Sequence, residues 1–292
     1  MTENVNVERA DFRFSHRLRV RWAEVDMQKI VFNAHYLMYF DTAIADYWRA
    51  LALPYEEAMQ ALGGDLYVRK ATIDFRASAR MDDVLDVGMK CARIGTSSIV
   101  FEGALFRQDQ LLVACELVYV FADPSAQTSK PVPAVLREIL AGYEAGESMR
   151  TVETGNWATL GESASALRRA VFIEEQRIPE AMEWDAHDAV VLHAVARNRI
   201  GQVIATGRLL HAEDGISHIG RMAVHRNLRS GGHGAAVMQV LQEAAKVRGD
   251  HVVALNAQRS AERFYARLGY VPHGEGFDEA GIPHIEMRRP LR

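Results

Sequence analysis

The feature that most restricts how this chain can fold is one long helix with a broad apolar face, near its start. Apolar and aromatic side chains recur at helical spacing through residues 35–51, which predicts a helix that buries one side. A single helix of this kind needs a sheet to cover its apolar face. A strand-like run at 17–22 precedes it, and runs at 84–94, 97–107 and 111–121 follow, separated by short polar turns as in consecutive hairpins. We therefore predict an α+β domain, with an antiparallel sheet around one long helix.

Strands and helices alternate in the second half of the chain, which is a different pattern. The expected elements are a helix at 163–175, strands at 188–197, 202–211 and 216–225, a helix at 233–247, a strand at 251–256 and a helix at 259–268. This order predicts a mixed α/β sheet. At ~150 residues per domain, a chain of 292 residues has room for two domains. We place them at 1–145 and 155–292, with the polar, turn-rich stretch 146–154 as a linker.

The composition gives little support to nucleic-acid or membrane binding. The net charge is −4, and no apolar run approaches the ~20 residues that span a bilayer. The amino terminus lacks an apolar signal core, and a chain with only Cys91 and Cys115 suits a reducing cytosol. No HExxH, CxxC or close His/Asp cluster occurs in the sequence. We therefore expect a cytoplasmic protein with no metal and no nucleic-acid or membrane partner.

An acidic segment around Asp26 runs from the first strand into the amino end of the long helix. The first amides of a helix are unpaired and carry a partial positive charge, so they can polarise a thioester carbonyl. A neighbouring carboxylate such as Asp26 can then act as nucleophile or general base. The same spacing also fits a plain helix cap by Asp26 or Asn33. The spacing alone leaves both interpretations open.

Three blocks in the first half resemble hotdog-fold acyl-CoA thioesterases of the 4-hydroxybenzoyl-CoA thioesterase type. They are RVRWAEVDMQKIVFNAHYLMYFDTA at 19–43, FRASARMDDVLDV at 75–87 and RIGTSS at 93–98. The likeness covers roughly residues 15–140, and the blocks occur in the family's order. It implies that Asp26 is the catalytic carboxylate and that a backbone amide near Asn33 polarises the thioester. It also implies a homo-dimer or tetramer with the acyl-CoA site between protomers.

The sequence departs from this thioesterase pattern at two places. Lys29 stands where the family has glycine, a residue that tolerates positive φ and close backbone approach. The lysine therefore alters the turn, narrows the pocket or adds a cation beside the thioester. The family's His and Asn are also exchanged, giving Asn33 and His35. His35 either positions a water or is a hydrogen-bonded histidine at the helix start.

A glycine-rich turn at 229–234 joins a strand to a helix in the second half. Glycines at a helix start let backbone amides face a phosphate pair. The turn lacks a Gly-Lys-Ser/Thr ending and fits dinucleotide-binding spacing poorly. Arg229-x-x-Gly232-x-Gly234 resembles the pyrophosphate motif of the GNAT superfamily of N-acetyltransferases, with supporting blocks at 171–179, 255–277 and 281–289. That likeness spans residues 155–290.

The GNAT resemblance implies coenzyme A or acetyl-CoA as substrate and an amine as acceptor. The implied coenzyme A contacts are Met222, Val224, Arg229, Ser230, Gly231, Gly232, His233, Gly234, Ala235 and Asn256. Tyr265 would protonate the leaving thiolate. The position of the family's basic Glu is held by His218, whose alternative role is that of a neutral histidine on an exposed strand face. Other bases left open are Glu174, Glu175, His284 and an ordered water.

These interpretations together predict a bifunctional enzyme that hydrolyses an acyl-CoA in its first domain and acetylates an amine in its second. One alternative is an acetyltransferase whose hotdog domain only dimerises, which Lys29 favours. Another is a sensor of coenzyme A or acyl-CoA without catalysis, which the intact Asp26 and Tyr265 disfavour.

Overall fold

The computed structural model describes residues 7–291. They divide into two compact units, the first ending at Met149 and the second beginning at Arg150. Each unit has its own β-sheet. Within the described residues, no helix is long and apolar enough to cross a bilayer.

The first unit contains one antiparallel sheet, one long helix and two shorter helices. Its elements are β1 Phe14–Arg19, α1 Asn33–Ala50, α2 Tyr55–Leu62, β2 Asp65–Phe75, β3 Val84–Ile94, β4 Ser98–Arg107, β5 Gln110–Asp123, β6 Thr128–Ser129 and α3 Ala134–Glu144. The main strand order is β1-β3-β4-β5-β2, all neighbours are antiparallel, and β6 pairs with β5. The consecutive hairpins expected from the sequence are therefore present in β3, β4 and β5.

The apolar face of α1 packs against this sheet. The ring of Tyr47 lies edge-on to Phe14 of β1 and to Phe101 of β4, with centroids 5.5 and 5.6 Å apart. Phe40 and Ala43 of the same helix are fully buried. An antiparallel sheet covering a single long helix is the arrangement predicted from the helical spacing.

The strand predicted at 17–22 ends earlier than the sequence suggested. β1 stops at Arg19, and Trp22–Glu24 forms a short 3-10 turn. The Glu24 carboxylate closes this turn by accepting a hydrogen bond from the Arg21 amide at 2.7 Å. A local side-chain bond of this kind competes with strand pairing.

The second unit is a mixed α/β structure, as predicted. Its elements are β7 Arg150–Gly155, α4 Trp157–Arg168, α5 Glu180–Glu183, β8 Leu192–Asn198, β9 Val203–Leu209, β10 Ile216–Val224, α6 His233–Arg248, β11 Val252–Gln258, α7 Glu262–Arg267, β12 Val271–Glu279 and β13 Ile282–Pro290. The strand order is β12-β13-β11-β10-β9-β8-β7. The β10–β11 pair is parallel, and the other neighbours are antiparallel.

Most of the predicted linker 146–154 is a β-strand. β7 pairs with β8 residue by residue, from Arg150↔Asn198 to Gly155↔His193. The strand lies at the edge of the sheet, and Val152 is its one strongly apolar residue. A half-exposed edge strand needs few apolar side chains, so its sequence looks like a linker.

Helix α4 begins earlier than the predicted start at 163, because the Asn156 side chain caps it. The Asn156 Oδ1 atom accepts a hydrogen bond from the Thr159 amide at 3.0 Å. After α4 the chain continues as a π-helical segment, Arg169–Glu175. Such segments are rare and often lie at functional sites.

A buried ion network replaces the first part of the strand predicted at 188–197. Arg168 is 1% exposed and donates to Glu183 at 2.5 Å and to Asp188 at 2.8 Å. Arg208 of β9 donates to Asp188 at 2.7 Å and to Asp185 at 2.6 Å. These contacts hold the segment before β8 against the sheet, so Asp188 belongs to a 3-10 turn instead of a strand.

Candidate functional sites

The loop between β1 and α1 in the first unit is closed by backbone hydrogen bonds. The Glu24 carbonyl accepts from the Phe32 amide at 2.9 Å, and Val25 and Val31 form a β-bridge. Inside this closure the Asp26 amide donates to the Ile30 carbonyl at 2.9 Å. The loop therefore holds Asp26 in one place beside the start of α1.

Lys29 occupies the tip of this loop with a left-handed backbone, φ 62°. Its amide donates to the Asp26 carbonyl at 2.9 Å, which closes the turn. The left-handed region is one that the glycine of the thioesterase pattern would enter freely. Lys29 is exposed and lies outside the wall of the neighbouring cavity, so its side chain does not narrow that cavity.

A cavity of about 360 Å³ lies beside Asp26, between the loop, the start of α1 and the end of β2. Its wall includes Asp26, Gln28, Ile30, Val31, Phe32, Asn33, Tyr36, Phe75, Arg76, Ala77 and Ser78. Asp26 is half-buried, and one of its carboxylate oxygens accepts from the Gln28 amide at 2.8 Å. No side chain within residues 7–291 is bonded to that carboxylate. It is therefore available to a ligand or a water in the cavity.

The structure brings Asn33 to this cavity and leaves His35 outside its wall. Asn33 is the first residue of α1, after the helix cap at Phe32. Two residues along a helix turn it by roughly 200°, so Asn33 and His35 lie on different faces. The His35 ring instead packs edge-on against Phe32, with centroids 6.1 Å apart.

Tyr36 is a wall residue that the sequence assigned only to the apolar helix face. Its hydroxyl accepts a hydrogen bond from the Ala79 amide at 2.9 Å, and burial raises the pKa of the Tyr36 hydroxyl. It lies one turn from Asn33, so helical spacing is the signal that could have found it. The contact ties the start of α1 to the segment after β2.

Glu24 anchors the same loop through its buried carboxylate. The Tyr39 hydroxyl donates to it at 2.7 Å, and the Arg21 guanidinium also contacts it. Burial raises the pKa of Glu24, but the hydrogen bonds from the Arg21 amide, Tyr39 and the Arg21 side chain outweigh that effect and lower it overall. Glu24 is therefore an ionised anchor, and its bonds leave Asp26 as the carboxylate that faces the cavity.

A larger cavity, of about 1010 Å³, lies in the second unit where β10 and β11 separate. The two strands pair in parallel only from Ile216↔Val252 to His218↔Ala254. Beyond that point β10 stays paired with β9 as far as Val224. The free edge of β10 therefore faces the cavity.

A β-bulge in β10 decides which amides face that opening. The register with β9 shifts between Gly220 and Ala223, and Arg221 has a φ of 52°. Before the bulge the His218 carbonyl accepts from the amide of Leu210, the residue after β9, and beyond the bulge the His225 amide donates to the Ile204 carbonyl of β9. Alternate residues of an antiparallel strand face opposite edges, so the shift turns Met222 and Val224 toward the gap. Both residues line the cavity.

The glycine-rich turn forms the amino end of α6 at the same cavity. Ser230 and Gly232 have φ of 70° and 78°, and Gly232 is the helix cap. The first helical hydrogen bond joins the Ala236 amide to the Gly232 carbonyl at 3.1 Å. The earlier amides of the helix therefore have no partner inside it and can bind an anion. A Cβ on Gly234 would lie 3.1 Å from Val224, so glycine permits the helix to approach β10.

Of the predicted coenzyme A contacts, the Arg229 side chain forms an ion pair within the protein and the His233 side chain is buried. The Arg229 guanidinium makes a bidentate pair with Glu175, at 2.6 and 2.7 Å. The bonds from Arg229 lower the pKa of Glu175. The His233 ring is 3% exposed, and neither ring nitrogen has a partner within residues 7–291. Burial, with a smaller contribution from Arg150, lowers the pKa of His233 to about 4.

Tyr265 and Asn256 both line the cavity. Tyr265 is 8% exposed, and its hydroxyl has no hydrogen-bond partner among the described residues. Burial raises the pKa of this hydroxyl well above its usual range, so it stays protonated and can donate. Phe264 also lines the wall and packs against Tyr265, with centroids 4.9 Å apart. Asn256 is exposed on β11, opposite Glu286 of β13.

Three of the four side chains considered as bases lie in this wall: His218, His284 and Glu175. Glu174 is exposed and lies outside the wall. His218 is half-buried, and His284 is 8% exposed. Across residues 7–291, no group of three or more His, Cys, Asp and Glu side chains is arranged to hold a metal ion.

Comparison with known families gives one match in each unit. The family described as "Acetyltransferase (GNAT) domain" matches residues 160–291. The family described as "Thioesterase superfamily" matches residues 28–114, a range that begins just after Asp26.

Individual relatives correspond to one unit or the other. The uncharacterized N-acetyltransferase YjcF of Bacillus subtilis is 33% identical over 129 residues, which cover 44% of this chain and 91% of YjcF. An acyl-CoA N-acyltransferase from Pseudomonas aeruginosa is 33% identical, over 48% of this chain and 99% of its own, with a TM-score of 0.44. A 1,4-dihydroxy-2-naphthoyl-CoA thioesterase from Synechocystis is 18% identical, over 44% of this chain and 95% of its own, with a TM-score of 0.41.

Proposed function

This chain belongs to the GNAT acetyltransferase family through its second unit and carries a thioesterase-superfamily domain in its first, and we therefore propose that it is a bifunctional enzyme acting on coenzyme A thioesters. The second unit transfers acetyl from acetyl-CoA to an amine. The first unit hydrolyses an acyl-CoA. The observation that carries the proposal is the 1010 Å³ cavity, where a free strand edge and a helix amino terminus meet the Tyr265 hydroxyl, which has no hydrogen-bond partner in the described part of the chain.

In the proposed transfer reaction, the amino end of α6 binds the pyrophosphate of coenzyme A through amides of residues 230–235 other than that of Gly231, which donates to the Leu228 carbonyl at 3.2 Å. Arg229 supports this binding from its pair with Glu175, which fixes the turn before the helix. The amides of Met222 and Val224 hold the pantetheine and the acetyl carbonyl, and Asn256 contacts the coenzyme from β11. The amine attacks the carbonyl carbon, and Tyr265 donates its proton to the leaving thiolate. The proton of the attacking amine goes to a base in the same wall, for which His218 and His284 are the candidates.

In the proposed hydrolysis, the thioester carbonyl lies over the first amides of α1, near Asn33. Those amides stabilise the negative charge that develops on the oxygen. The Asp26 carboxylate, which accepts from the Gln28 amide and from no side chain of residues 7–291, activates a water or attacks the carbonyl itself. His35 acts only from outside the cavity wall, through its packing against Phe32.

The first unit is proposed to be a hotdog domain that assembles as a dimer or tetramer. Its edge strand β2 supports this, because Tyr67, Val68 and Phe75 are 45–52% exposed along it. An apolar, unpaired edge invites pairing with another strand. Light scattering should give the mass of two or four chains for the parent and a smaller mass for Val68→Lys. A parent of single-chain mass would contradict the assembly.

Thiol release from acyl-CoAs in the absence of any amine tests the hydrolase. The substrates are short-chain, long-chain and aromatic acyl-CoAs, compared between the parent and Asp26→Asn. Removing the carboxylate should lower kcat at least about 100-fold, because the general base or nucleophile is lost. Asp41→Asn is a matched control, since Asp41 lies in α1 outside the cavity wall. Equal hydrolysis by the parent and Asp26→Asn, or none by the parent, would overturn the thioesterase proposal.

A further inference from the structure

Acetyl transfer by the second unit, the proposed function on which this inference rests, requires an acceptor for one more proton. An alkylamine is an ammonium ion near neutral pH and must lose a proton before its nitrogen has a lone pair. The neutral nitrogen then forms the C–N bond to the acetyl carbon, and the C–S bond breaks. A second nitrogen proton ends on the thiolate by way of the Tyr265 hydroxyl. The first proton needs a separate base that faces the cavity.

Two of the three carboxylates of the cavity wall are occupied by arginines, and the third, Glu279, lies at the end of the fully exposed strand β12. Both oxygens of Glu175 accept from Arg229, and this pairing lowers the pKa of Glu175. Glu183 accepts from Arg168 at 2.5 Å and lies 3.3 Å from the Arg221 guanidinium. The pairing makes Glu175 a weak proton acceptor, because protonation breaks the ion pair. Burial raises the pKa of Glu183, but that residue is 1% exposed and its carboxylate lies against two arginines, so a substrate ammonium does not reach it. Three histidines line the wall, and burial at the start of α6 lowers the pKa of His233 to about 4, which leaves His218 and His284.

His284 is held in a single tautomer. Its Nδ1 atom lies 2.7 Å from the Ile282 carbonyl oxygen, which can only accept, so Nδ1 carries the proton in the neutral ring. The lone pair is then on Nε2, which has no partner within the described chain. The ring also stacks on Phe277, with centroids 5.8 Å apart and an interplanar angle of 19°. Nδ1 bonded to a backbone carbonyl and Nε2 left open is the arrangement that orients a histidine base.

The position of His284 in the sheet brings it to the part of the cavity where β10 and β11 have separated. It pairs in register with Gln258, the last residue of β11. That end of β11 lies beyond Ala254, where β10 and β11 have already separated. The side chains of His284 and Tyr265 line the same cavity.

His218 lacks the features that fix His284. Its ring nitrogens make no hydrogen bond within residues 7–291, so nothing selects a tautomer or a ring orientation. It also lies at the last paired position of the parallel ladder, opposite Ala254. We infer that His284, through Nε2, is the base that takes the proton from the substrate ammonium. The imidazolium formed in this step passes that proton to solvent after acetyl transfer.

The basicity of the acceptor amine distinguishes a base from a structural residue. Loss of the base should affect only amines that are protonated at the assay pH, whereas loss of a structural residue should affect all amines alike. The experiment measures kcat/KM at saturating acetyl-CoA and pH 7.5 with a panel of primary alkylamines and their β,β,β-trifluorinated analogues, which are far less basic and largely neutral. His284→Asn keeps a side-chain amide to donate to Ile282 but removes the base. With alkylamines its kcat/KM should fall about 100-fold, whereas with the fluorinated analogues the fall should be about threefold or less. Added imidazole should restore part of the alkylamine rate in His284→Ala.

Three control measurements show which results would contradict a base role for His284. His273→Asn, in the exposed strand beside β13, should match the parent with both kinds of amine. Coenzyme A binding by His284→Asn should equal that of the parent, which shows that the cavity is intact. Equal losses with both kinds of amine, or an amine-selective loss in His218→Asn alone, would overturn the role of His284 and leave the transferase proposal standing. A parent that acetylates no amine of the panel would overturn both.

Discussion

At the scale of single residues, Lys29 changes how the first site is interpreted. Its substitution for glycine was the sequence feature that favoured a non-catalytic first domain. The structure places Lys29 in the left-handed conformation and outside the cavity wall. The turn therefore closes with lysine in place, and the cavity beside Asp26 is not filled by it. The cost is backbone strain, which a non-glycine residue bears at positive φ.

Lys29→Gly should make the first unit more stable. Relief of the left-handed strain, less the extra flexibility of glycine in the unfolded chain, should raise the free energy of unfolding by about 1 kcal/mol. Hydrogen exchange of the buried helix α1 across a urea series measures the change in the first unit. Lys29→Ala keeps the strain and removes the charge, so it should show no such gain. If alanine stabilised as much as glycine, the effect would come from the charge instead of φ.

At the scale of elements, the sequence predicted those with a clear buried period and missed those without one. Helix α1 and the hairpins of β3, β4 and β5 have apolar side chains at regular spacing and occur close to the predicted positions. All nine residues of β12 are exposed, so no alternation marks that strand. The same weakness hid β7 inside the expected linker.

At the two candidate sites, the sequence likewise failed to predict contacts between side chains that are distant along the chain. The motifs located Asp26, Asn33 and Tyr265 in the walls of the two cavities. They did not reveal that Glu175 holds Arg229, residues 54 positions apart. Such contacts depend on how elements pack, which no local spacing encodes.

The first turn of α6 should make the second unit sensitive to acid. Burial lowers the pKa of His233 to about 4 from an ordinary 6.5. Between these two pH values the His233 ring therefore binds a proton in the unfolded chain but not in the folded one. Stability should therefore be unaffected above pH 6.5 and fall progressively down to about pH 4, by at most about 3 kcal/mol. Hydrogen exchange of α6 across a urea series at each pH measures this.

His233→Leu is the matched variant for that pH series, since it removes the titrating group from the same site. Its stability should vary less between pH 6.5 and 4 than that of the parent. Some slope will remain, because burial also lowers the pKa of His193 in the same unit. Identical slopes in the two proteins would contradict the assignment to His233.

At the scale of the whole molecule, residues 7–291 form two sheets, and each unit contains one of the candidate sites described above. Asp26 lines the cavity of the first unit, and Tyr265 lines that of the second. Fusion of two domains that handle thioesters does not by itself couple their reactions. The two activities should therefore be removable one at a time.

Asp26→Asn and Tyr265→Phe, measured in both assays, test this independence. Tyr265→Phe should slow acetyl transfer at least about 100-fold, because the thiolate loses its proton donor, and leave amine-free thioester hydrolysis unchanged. Asp26→Asn should do the reverse. Loss of transfer alone, with no hydrolysis by the parent, would support a dimerising first domain. Absence of both activities in a parent that still binds coenzyme A would support a sensor.

The bulge in β10 has a consequence for how this protein responds to mutation. Met222 and Val224 face the cavity because one extra residue is counted into the strand between Gly220 and Ala223. In the proposed transfer reaction these two residues act through main-chain atoms, so exchanging side chains one by one would leave those atoms where they are. Deleting a single residue would instead rotate the following backbone by half a pleat and present the opposite set of amides. The proposed second site thus depends on the number of residues in β10 as well as on their identity. A mutational survey limited to substitutions would show little loss of activity in this stretch and would miss that dependence.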